Sequence, residues 1–407
     1  LTSISYITYH LRLPMAHQRV RFALSTVTQL RSFWPIVGVL GLRQVGKTTL
    51  LSETQKLAET VTLDDDEALE EASTTPKVFL SKRGEPLLID EVQKAPKLFD
   101  ALKLAIDRDR RPGRFFITGS TTFSSKLGIR ESLTGRIGIL HLHPMTLAEA
   151  HGMPFVPNVL LSPIQEKQQS KINGRFTIEA FSKNMIAGGL PVPLFARDPA
   201  QRSLYWKSWL DTTLYRDLRK LVGRNYDPDF AMRLLNQMAS YFANGELPTL
   251  KHFPQSSTKL RPYLLAFEES FLLRKLSCHE LGVGKEAWVF EDSGLLYYLL
   301  PKKSGEEVNQ ALARCYLLNE LSAAHEYQAQ PFPLVYIKSA RGTPIDLVWN
   351  NIPIKVVARH SQLGWEERSL AAAMKKLRQK KGILVAPVSK PDLVADGISV
   401  VPWSYWS

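Results

Sequence analysis

Cysteine is scarce in this chain: Cys278 and Cys315 are the only two among 407 residues. Two thiols cannot build a disulfide framework, and no Cys/His cluster has zinc-ligand spacing. A reducing compartment fits, and a cytoplasmic location is expected. No apolar run approaches the roughly 18 residues that a bilayer span needs, so no membrane association is expected. The first residue is Leu1 and the first methionine is Met15, which makes Met15 a candidate start. Residues 1–14 lack the charge pattern and cleavage site of a signal peptide. Internal repeats and low-complexity tracts are absent too. Acidic charge is in deficit, with 39 Asp and Glu against 52 Lys and Arg, a net charge of +13 and a pI near 9.6. That balance fits an acidic partner, nucleic acid first, and fits a basic enzyme without one. The densest basic cluster is Lys375, Lys376, Arg378, Lys380 and Lys381. Cations near a helix C-terminus are also favoured by the macrodipole.

What is present begins with residues 41–48, Gly-Leu-Arg-Gln-Val-Gly-Lys-Thr. They match the phosphate-binding loop G-x-x-x-x-G-K-[ST] at every fixed position. An apolar run, Ile36 to Leu40, precedes the loop, and a helix-like stretch, Thr48 to Leu57, follows it. Gly41 and Gly46 allow a sharp turn and close approach to a phosphate. Backbone N–H groups from Gly41, Leu42, Arg43, Gln44, Val45 and Gly46, with Thr49 in the first helical turn, form an anion cradle. Lys47 is expected at the β- and γ-phosphates, and Thr48 at Mg²⁺. A second motif, Pro86 to Glu91, is an apolar strand ending in an acid pair. Asp90 is expected to hold Mg²⁺ through water, and Glu91 to polarise the attacking water. The pair favours nucleoside-triphosphate hydrolysis over simple binding. A third strand, Arg114 to Thr118, leads to Gly119-Ser120-Thr121. Thr118 and Ser120 are both candidates to sense the γ-phosphate. No Asn-Lys-x-Asp sequence reads guanine, which favours ATP. No acceptor site suggests a kinase.

Residues 21–150 alternate strands with helices, the pattern of a parallel sheet covered by helices. Strands are expected near 36–40, 60–64, 86–90, 114–118 and 137–142. Asp64, Asp65 and Asp66 either line the nucleotide edge or cap the next helix, and the cap is preferred. Residues 151–175 read as a polar surface loop. Residues 176–222 read as helical, interrupted by Gly188-Gly189-Leu190-Pro191, with Trp206 and Trp209 in a core stripe. Residues 226–305 hold helices and a short strand at Trp288-Val289-Phe290. Ser256 to Leu265 is a polar cap followed by a helix with Lys259 and Arg261 on its first turns. Such a segment suits either a winged-helix recognition helix on double-stranded DNA or a helix pair used only for packing. Residues 306–407 read as a last unit: a helix near 307–327, strands near 334–338, 345–349 and 353–357, a helix near 366–380, and a strand at 382–386.

Together these motifs resemble a large bacterial and archaeal family of AAA-type ATPases that carry a C-terminal domain of unknown function. The resemblance rests on residues 41–50, Leu63-Asp64-Asp65, residues 88–93, Ile117 to Ser120, Glu131 to Arg136, Gly188 to Pro191, and Leu214-Tyr215-Arg216-Asp217-Leu218. It covers the chain from about residue 20 and weakens after 220. Leu42 departs from the proline common there. The likeness implies an α/β fold with five parts. An N-terminal extension covers 1–20. A P-loop NTPase core of the additional-strand, catalytic-Glu type covers 21–150. A linker and lid cover 151–225, and a winged-helix-like domain covers 226–305. A small restriction-endonuclease-like α/β domain covers 306–407. The likeness also implies Arg136 as an arginine-finger-like charge at the γ-phosphate, although Arg136 could equally pair with Glu131. In active endonuclease-like modules an Asp and a Glu-x-Lys share one metal site. Asp346 fills the first place, but Lys355 stands for the Glu and Val357 for the Lys. The module is therefore expected to cut nothing, with Glu320 as the one nearby acid. Lys355 would pair with Asp346, or join Lys375 and Lys376 in facing phosphate. The expected function is a Mg²⁺-dependent ATPase whose hydrolysis drives a conformational cycle on DNA or a protein partner. The alternative is a nucleotide-gated DNA-binding or scaffold protein with slow hydrolysis.

Overall fold

The computed structural model describes residues 19–122, 133–153, 176–196, 198–329, 333–338, 345–357, 363–389, 392–394 and 397–403. The expected N-terminal extension up to residue 18, most of the expected loop at 151–175, and Glu131 lie outside the described residues.

The strands Ile36–Leu40 (β1), Glu59–Thr62 (β2), Leu87–Asp90 (β3), Phe115–Gly119 (β4) and Ile137–His141 (β5) form one sheet in the order β2-β3-β4-β1-β5. Every pairing is parallel. β4 lies between the strand that enters the phosphate loop and the strand that ends in Asp90, so one extra strand separates them. β1 and β4 are buried at every residue, with Thr118 near the end of β4 the one polar side chain between them, as a sheet covered on both faces requires. The covering helices are α1 (Ala23–Phe33), α2 (Lys47–Thr54), α3 (Asp66–Thr74), α4 (Pro76–Ser81) and α5 (Leu98–Arg108). The cap preferred for the acid run is present: the Asp65 side chain accepts from the Ala68 N–H at the start of α3.

The middle of the chain is helical. It contains α6 (Leu147–Ala150), α7 (Ile178–Ala187), α8 (Pro191–Phe195), α9 (Pro199–Thr212), a π-helical turn at Thr213–Leu218, and α10 (Arg219–Val222). Trp206 and Trp209 are buried, as the stripe predicts. Next come α11 (Pro228–Ala243), α12 (Ser257–Glu269), the antiparallel hairpin β6 (Leu273–Cys278) and β7 (Ala287–Phe290), and α13 (Ser293–Leu299). α12 is capped by the Ser256 hydroxyl, which accepts from the Lys259 N–H. The last part has α14 (Glu306–Tyr327), β8 (Val335–Ile337), β9 (Ile345–Trp349), β10 (Ile352–Val356), α15 (Leu363–Leu377), β11 (Gly382–Ala386), β12 (Asp392–Val394) and β13 (Ile398–Pro402).

The boundary expected between residues 305 and 306 does not divide the molecule. β6 pairs in parallel with β8, through Ser277 with Val335 and Cys278 with Tyr336. The hairpin and the C-terminal strands thus make one eight-stranded sheet, ordered β12-β13-β11-β10-β9-β8-β6-β7. The parallel sheet β1–β5 and the chain after it are also joined to α14. The Tyr327 hydroxyl accepts from His143 N–H, and Glu320 and Glu326 accept from Leu147 N–H and His141 N–H. Asp292, at the start of α13, gathers four amides: Gly189 and Leu190 from the middle segment, and Gly294 and Leu295 from its own helix. Burial pushes its carboxyl up to about 6, against the pull of those four donors.

In the C-terminal unit Asp346 and Lys355 do pair, at 3.8 Å. The pair belongs to a buried cluster. Arg314 Nε lies 3.1 Å from Asp346, and Glu366 on α15 lies 3.9 Å from Lys355. Glu366 is the second acid, and Glu320 is not: Glu320 turns toward α6 and accepts from Leu147 N–H at 2.7 Å. All four charged residues of the cluster are at most 4% exposed. Val357 is buried in the adjoining core.

Candidate nucleotide-binding site

The phosphate loop leaves the carboxyl edge of β1 and enters α2. Gly41 has φ 152°, and a Cβ there would stand 2.4 Å from the Leu142 carbonyl oxygen. The chain after β5 thus presses against the loop, and only glycine fits. Gly46 begins α2 with φ 100°, a left-handed conformation that an ordinary side chain strains to adopt. Leu42 and Val45 are fully buried, so they offer backbone to the loop while their side chains anchor it. Arg21, just before α1, braces the far side, donating to the Val45 and His143 carbonyls at 2.9 and 2.6 Å.

Lys47 is only 5% exposed, and its ammonium donates to the Gly41 and Leu42 carbonyls at 3.1 Å each. Burial lowers its pKa, and Glu91 and Asp90 work against that shift. Thr48 Oγ1 donates to Asp90 Oδ1 at 2.6 Å, and the Thr118 hydroxyl donates to the same oxygen. Glu91 follows with a left-handed φ of 57°, and its N–H donates to Thr118 Oγ1 at 3.2 Å. That turn separates the two carboxylates. Asp90 faces the loop, while Glu91 Oε2 accepts from Ser120 Oγ at 2.8 Å and Gln93 Nε2 at 2.5 Å. The two sensor candidates therefore divide: Thr118 is fully buried against Asp90, and Ser120 reaches the open side beside Glu91.

These groups surround one cavity of about 940 Å³, lined by Arg43, Gln44, Gly46, Lys47, Thr48, Thr49, Glu91 and Ser120 among others. Pockets of roughly 300–1,000 Å³ take ligands the size of a cofactor. Its opposite wall comes from the helical segment. Arg216, Asp217 and Lys220 line it, with Pro191 and Val192 of α8. Arg43 pairs with Asp217 at 3.0 Å, and Tyr205 donates to Gln44 at 2.8 Å. The π-helical turn carries Arg216 and Asp217, a position where such turns commonly serve sites. Arg216 sits inside the quoted Leu214–Leu218 motif, but periodicity alone gave it no role. Asp64 and Lys94 pair at the rim.

Arg136 is not in this site. It precedes β5, and its carbonyl accepts from Ile36 N–H at the start of β1. The loop leaves the other end of β1, five residues away, or roughly 16 Å at strand rise. Arg136 is held there by a two-pronged ion pair with Asp107, at 2.8 and 3.0 Å. An arginine in a strand-edge turn cannot be assigned to one end of a sheet without the register.

Residues 34–151 match the model of an AAA domain. An uncharacterized protein of Mycobacterium tuberculosis and one of Mycobacterium bovis are each 25% identical to the chain over 385 residues, covering 90% of it and 80% of their own length. Among solved structures, a Walker-type ATPase of Pyrococcus abyssi overlaps 68% of this chain and 94% of its own, at 13% identity and a TM-score of 0.39. Among the described residues no helix is long and apolar enough to cross a membrane. The domain match falls on the parallel sheet, the phosphate loop and the acid pair at its carboxyl edge, and the chain carries an AAA-type P-loop ATPase domain.

Proposed function

We propose that the protein binds ATP with Mg²⁺ in the cavity above the loop and hydrolyses it, and that hydrolysis drives a change in the helical segment packed on that loop. The observation that carries this reading is the convergence of Lys47, the Thr48–Asp90 pair and the Ser120–Glu91 pair on one cavity. Thr48 and Asp90 would hold Mg²⁺: a hydroxyl 2.6 Å from a carboxylate supplies the hard oxygen donors this ion takes, with waters filling the rest. The ion would offset charge on the phosphate oxygens. Lys47 and the loop N–H groups bind the phosphates. Glu91 takes a proton from water, and Ser120 positions Glu91. Arg216, rather than Arg136, would meet the phosphates after releasing Asp217, with Arg43 of the loop lining the same cavity. Because Arg43 and Gln44 bind the lid through Asp217 and Tyr205, charge arriving at the loop competes directly with those contacts.

The test is calorimetric ATP binding and phosphate release in three variants. Lys47→Ala is expected to abolish binding. Arg216→Ala is expected to lower turnover, and Arg136→Ala to leave it within about threefold, which is under 1 kcal/mol. Unchanged nucleotide affinity in Lys47→Ala would remove the phosphate-site assignment.

A second reading, a nucleotide-gated DNA-binding or scaffold protein with slow hydrolysis, is favoured by one observation. Lys259 and Arg261 are exposed on the first turns of α12, and the β6–β7 hairpin follows directly, in the element order of a winged helix. Phosphate release measured with and without double-stranded DNA separates the two.

A further inference from the structure

Where the chain passes Gly41 of the phosphate loop, His141 ends β5 and His143 stands two residues further on, either side of Leu142. Residues two apart on an extended strand share a face. The strand pairing continues past β5 here, with Leu142 N–H donating to the Leu40 carbonyl at 2.7 Å. Both imidazoles therefore point the same way, with ring centres 4.1 Å apart. Facing them, from the end of β7, is the buried carboxylate of Glu291. Its Oε1 lies 2.5 Å from His143 Nδ1 and 3.5 Å from His141 Nε2.

We propose that His141, His143 and Glu291 form a binding site for a borderline divalent metal ion of the Zn²⁺ class. Among the described residues this is the only group of three or more His, Cys, Asp or Glu whose ligand atoms lie within 4.8 Å of one another. Zn²⁺ takes imidazole nitrogen and carboxylate oxygen at about 2.0–2.2 Å in a tetrahedral shell, which spaces ligand atoms by roughly 3.4 Å. The His141–Glu291 separation already has that value, and the His143–Glu291 contact has to open by under about 1 Å. The remaining position faces space. A cavity of about 480 Å³ is lined by His141, Glu291, Arg274, Phe271 and Thr122.

The surroundings orient the donors. Arg274 binds Glu291 Oε2 at 3.1 Å, which leaves Oε1 turned toward the histidines. Asn319 holds Arg274 at 3.1 Å and donates to the Glu291 carbonyl at 2.7 Å. The backbone N–H groups of His141 and His143 are tied to Glu326 and the Tyr327 hydroxyl. Such outer partners fix the direction of metal ligands. His141 Nε2 is buried and makes no hydrogen bond among the described residues. One carboxylate beside an arginine is a poor site for Mg²⁺ or Ca²⁺, which need several oxygens. Two imidazoles select Zn²⁺, Co²⁺ or Ni²⁺. An ion there would fasten the ATPase sheet to the hairpin that opens the eight-stranded sheet, where Leu142 meets Gly41. The sequence hides it because Glu291 lies 148 residues from His143.

The test uses the full chain, stripped with a chelator and dialysed. Titration with Zn²⁺ alone is expected to show about one tight equivalent that excess Mg²⁺ does not displace. Co²⁺ is expected to give visible absorption of a nitrogen–oxygen site, and Zn²⁺ to raise the melting temperature in proportion to the logarithm of its concentration. His141→Gln and Glu291→Gln are each expected to weaken binding at least tenfold. His141→Gln is the safer variant, since the lost imidazole nitrogen has no hydrogen bond to break. Asp90→Asn, in the separate Mg²⁺ position, is expected to keep the Zn²⁺ affinity. The proposal fails if the folded wild type takes up neither Zn²⁺ nor Co²⁺. It also fails if His141→Gln binds as tightly as wild type, or if Asp90→Asn, and not His141→Gln, loses the ion.

Discussion

Replacing Glu91 with Gln isolates one charge at the proposed hydrolytic centre. The glutamate accepts from Ser120 and Gln93 through a single oxygen, Oε2. A glutamine keeps one carbonyl oxygen of the same reach, so both donors stay satisfied and the turn after β3 is undisturbed. Lys47 rests on the Gly41 and Leu42 carbonyls rather than on Glu91, so the phosphate cradle is unchanged. What disappears is the group that takes a proton from water. General-base contributions run at about 10²–10⁴ in rate, or roughly 2.7–5.4 kcal/mol at about 1.36 kcal/mol per decade. The expected outcome is steady-state phosphate release lowered by at least about tenfold, and nearer a hundredfold if Glu91 is the only base. ATP affinity by calorimetry should stay within about threefold. Ser120→Ala should slow turnover less, because Gln93 still holds the carboxylate. Turnover in Glu91→Gln within about threefold of wild type would refute the assignment and move the base elsewhere.

Other predictions follow from the same geometry. Binding to double-stranded DNA should fall steeply with salt, and reversing Lys259 and Arg261 to Glu should weaken it more than reversing Lys375 and Lys376; binding insensitive to salt would favour a protein partner. The purified chain should cut no DNA with Mg²⁺ or Mn²⁺, because Asp346 and Glu366 are sealed in the core beside Arg314 and Lys355; cleavage that disappears in Asp346→Asn would overturn this. Asp346→Ala should cost about 3–5 kcal/mol of stability in denaturant titration, since it leaves two buried cations facing one acid. Glu320 gives a pH effect. Burial pushes its carboxyl up to about 8, above its unfolded value near 4.5, so its contribution is present at low pH and is lost as pH rises through 8. Glu320→Gln should therefore gain in melting temperature over wild type as pH rises from 5 to 9, and parallel curves would show that Glu320 does not titrate late.

The candidate nucleotide site was legible because the residues that compose it are local in sequence. One contiguous loop sets the phosphate cradle, and one strand end sets the acid pair, so periodicity and motif placed both to within a residue or two. What stayed hidden depends on contacts distant in sequence. Arg136 carries the same charge at either end of a sheet, and only the pairing of β5 with β1 shows which end it occupies. Glu366 displaced Glu320 as the second acid because each helix turns its face independently of how near it lies in sequence. The pairing of β6 with β8 spans more than fifty residues with no motif at either end. Arg216 lies inside the Leu214–Leu218 motif, yet its place on the cavity wall depends on the helical segment folding over the loop.

That shared sheet has a practical consequence for anyone dividing the chain. A fragment ending at residue 305 would strip β8 from β6 and leave Ser277 and Cys278 at a bare strand edge, backbone donors and acceptors facing water. Unprotected edges of this kind zip onto neighbouring chains. The N-terminal fragment should therefore keep its nucleotide pocket but gather into sheet-mediated aggregates, and the C-terminal remainder should be equally sticky along β8. Cutting before Pro228 instead would leave all eight strands together on one side of the cut.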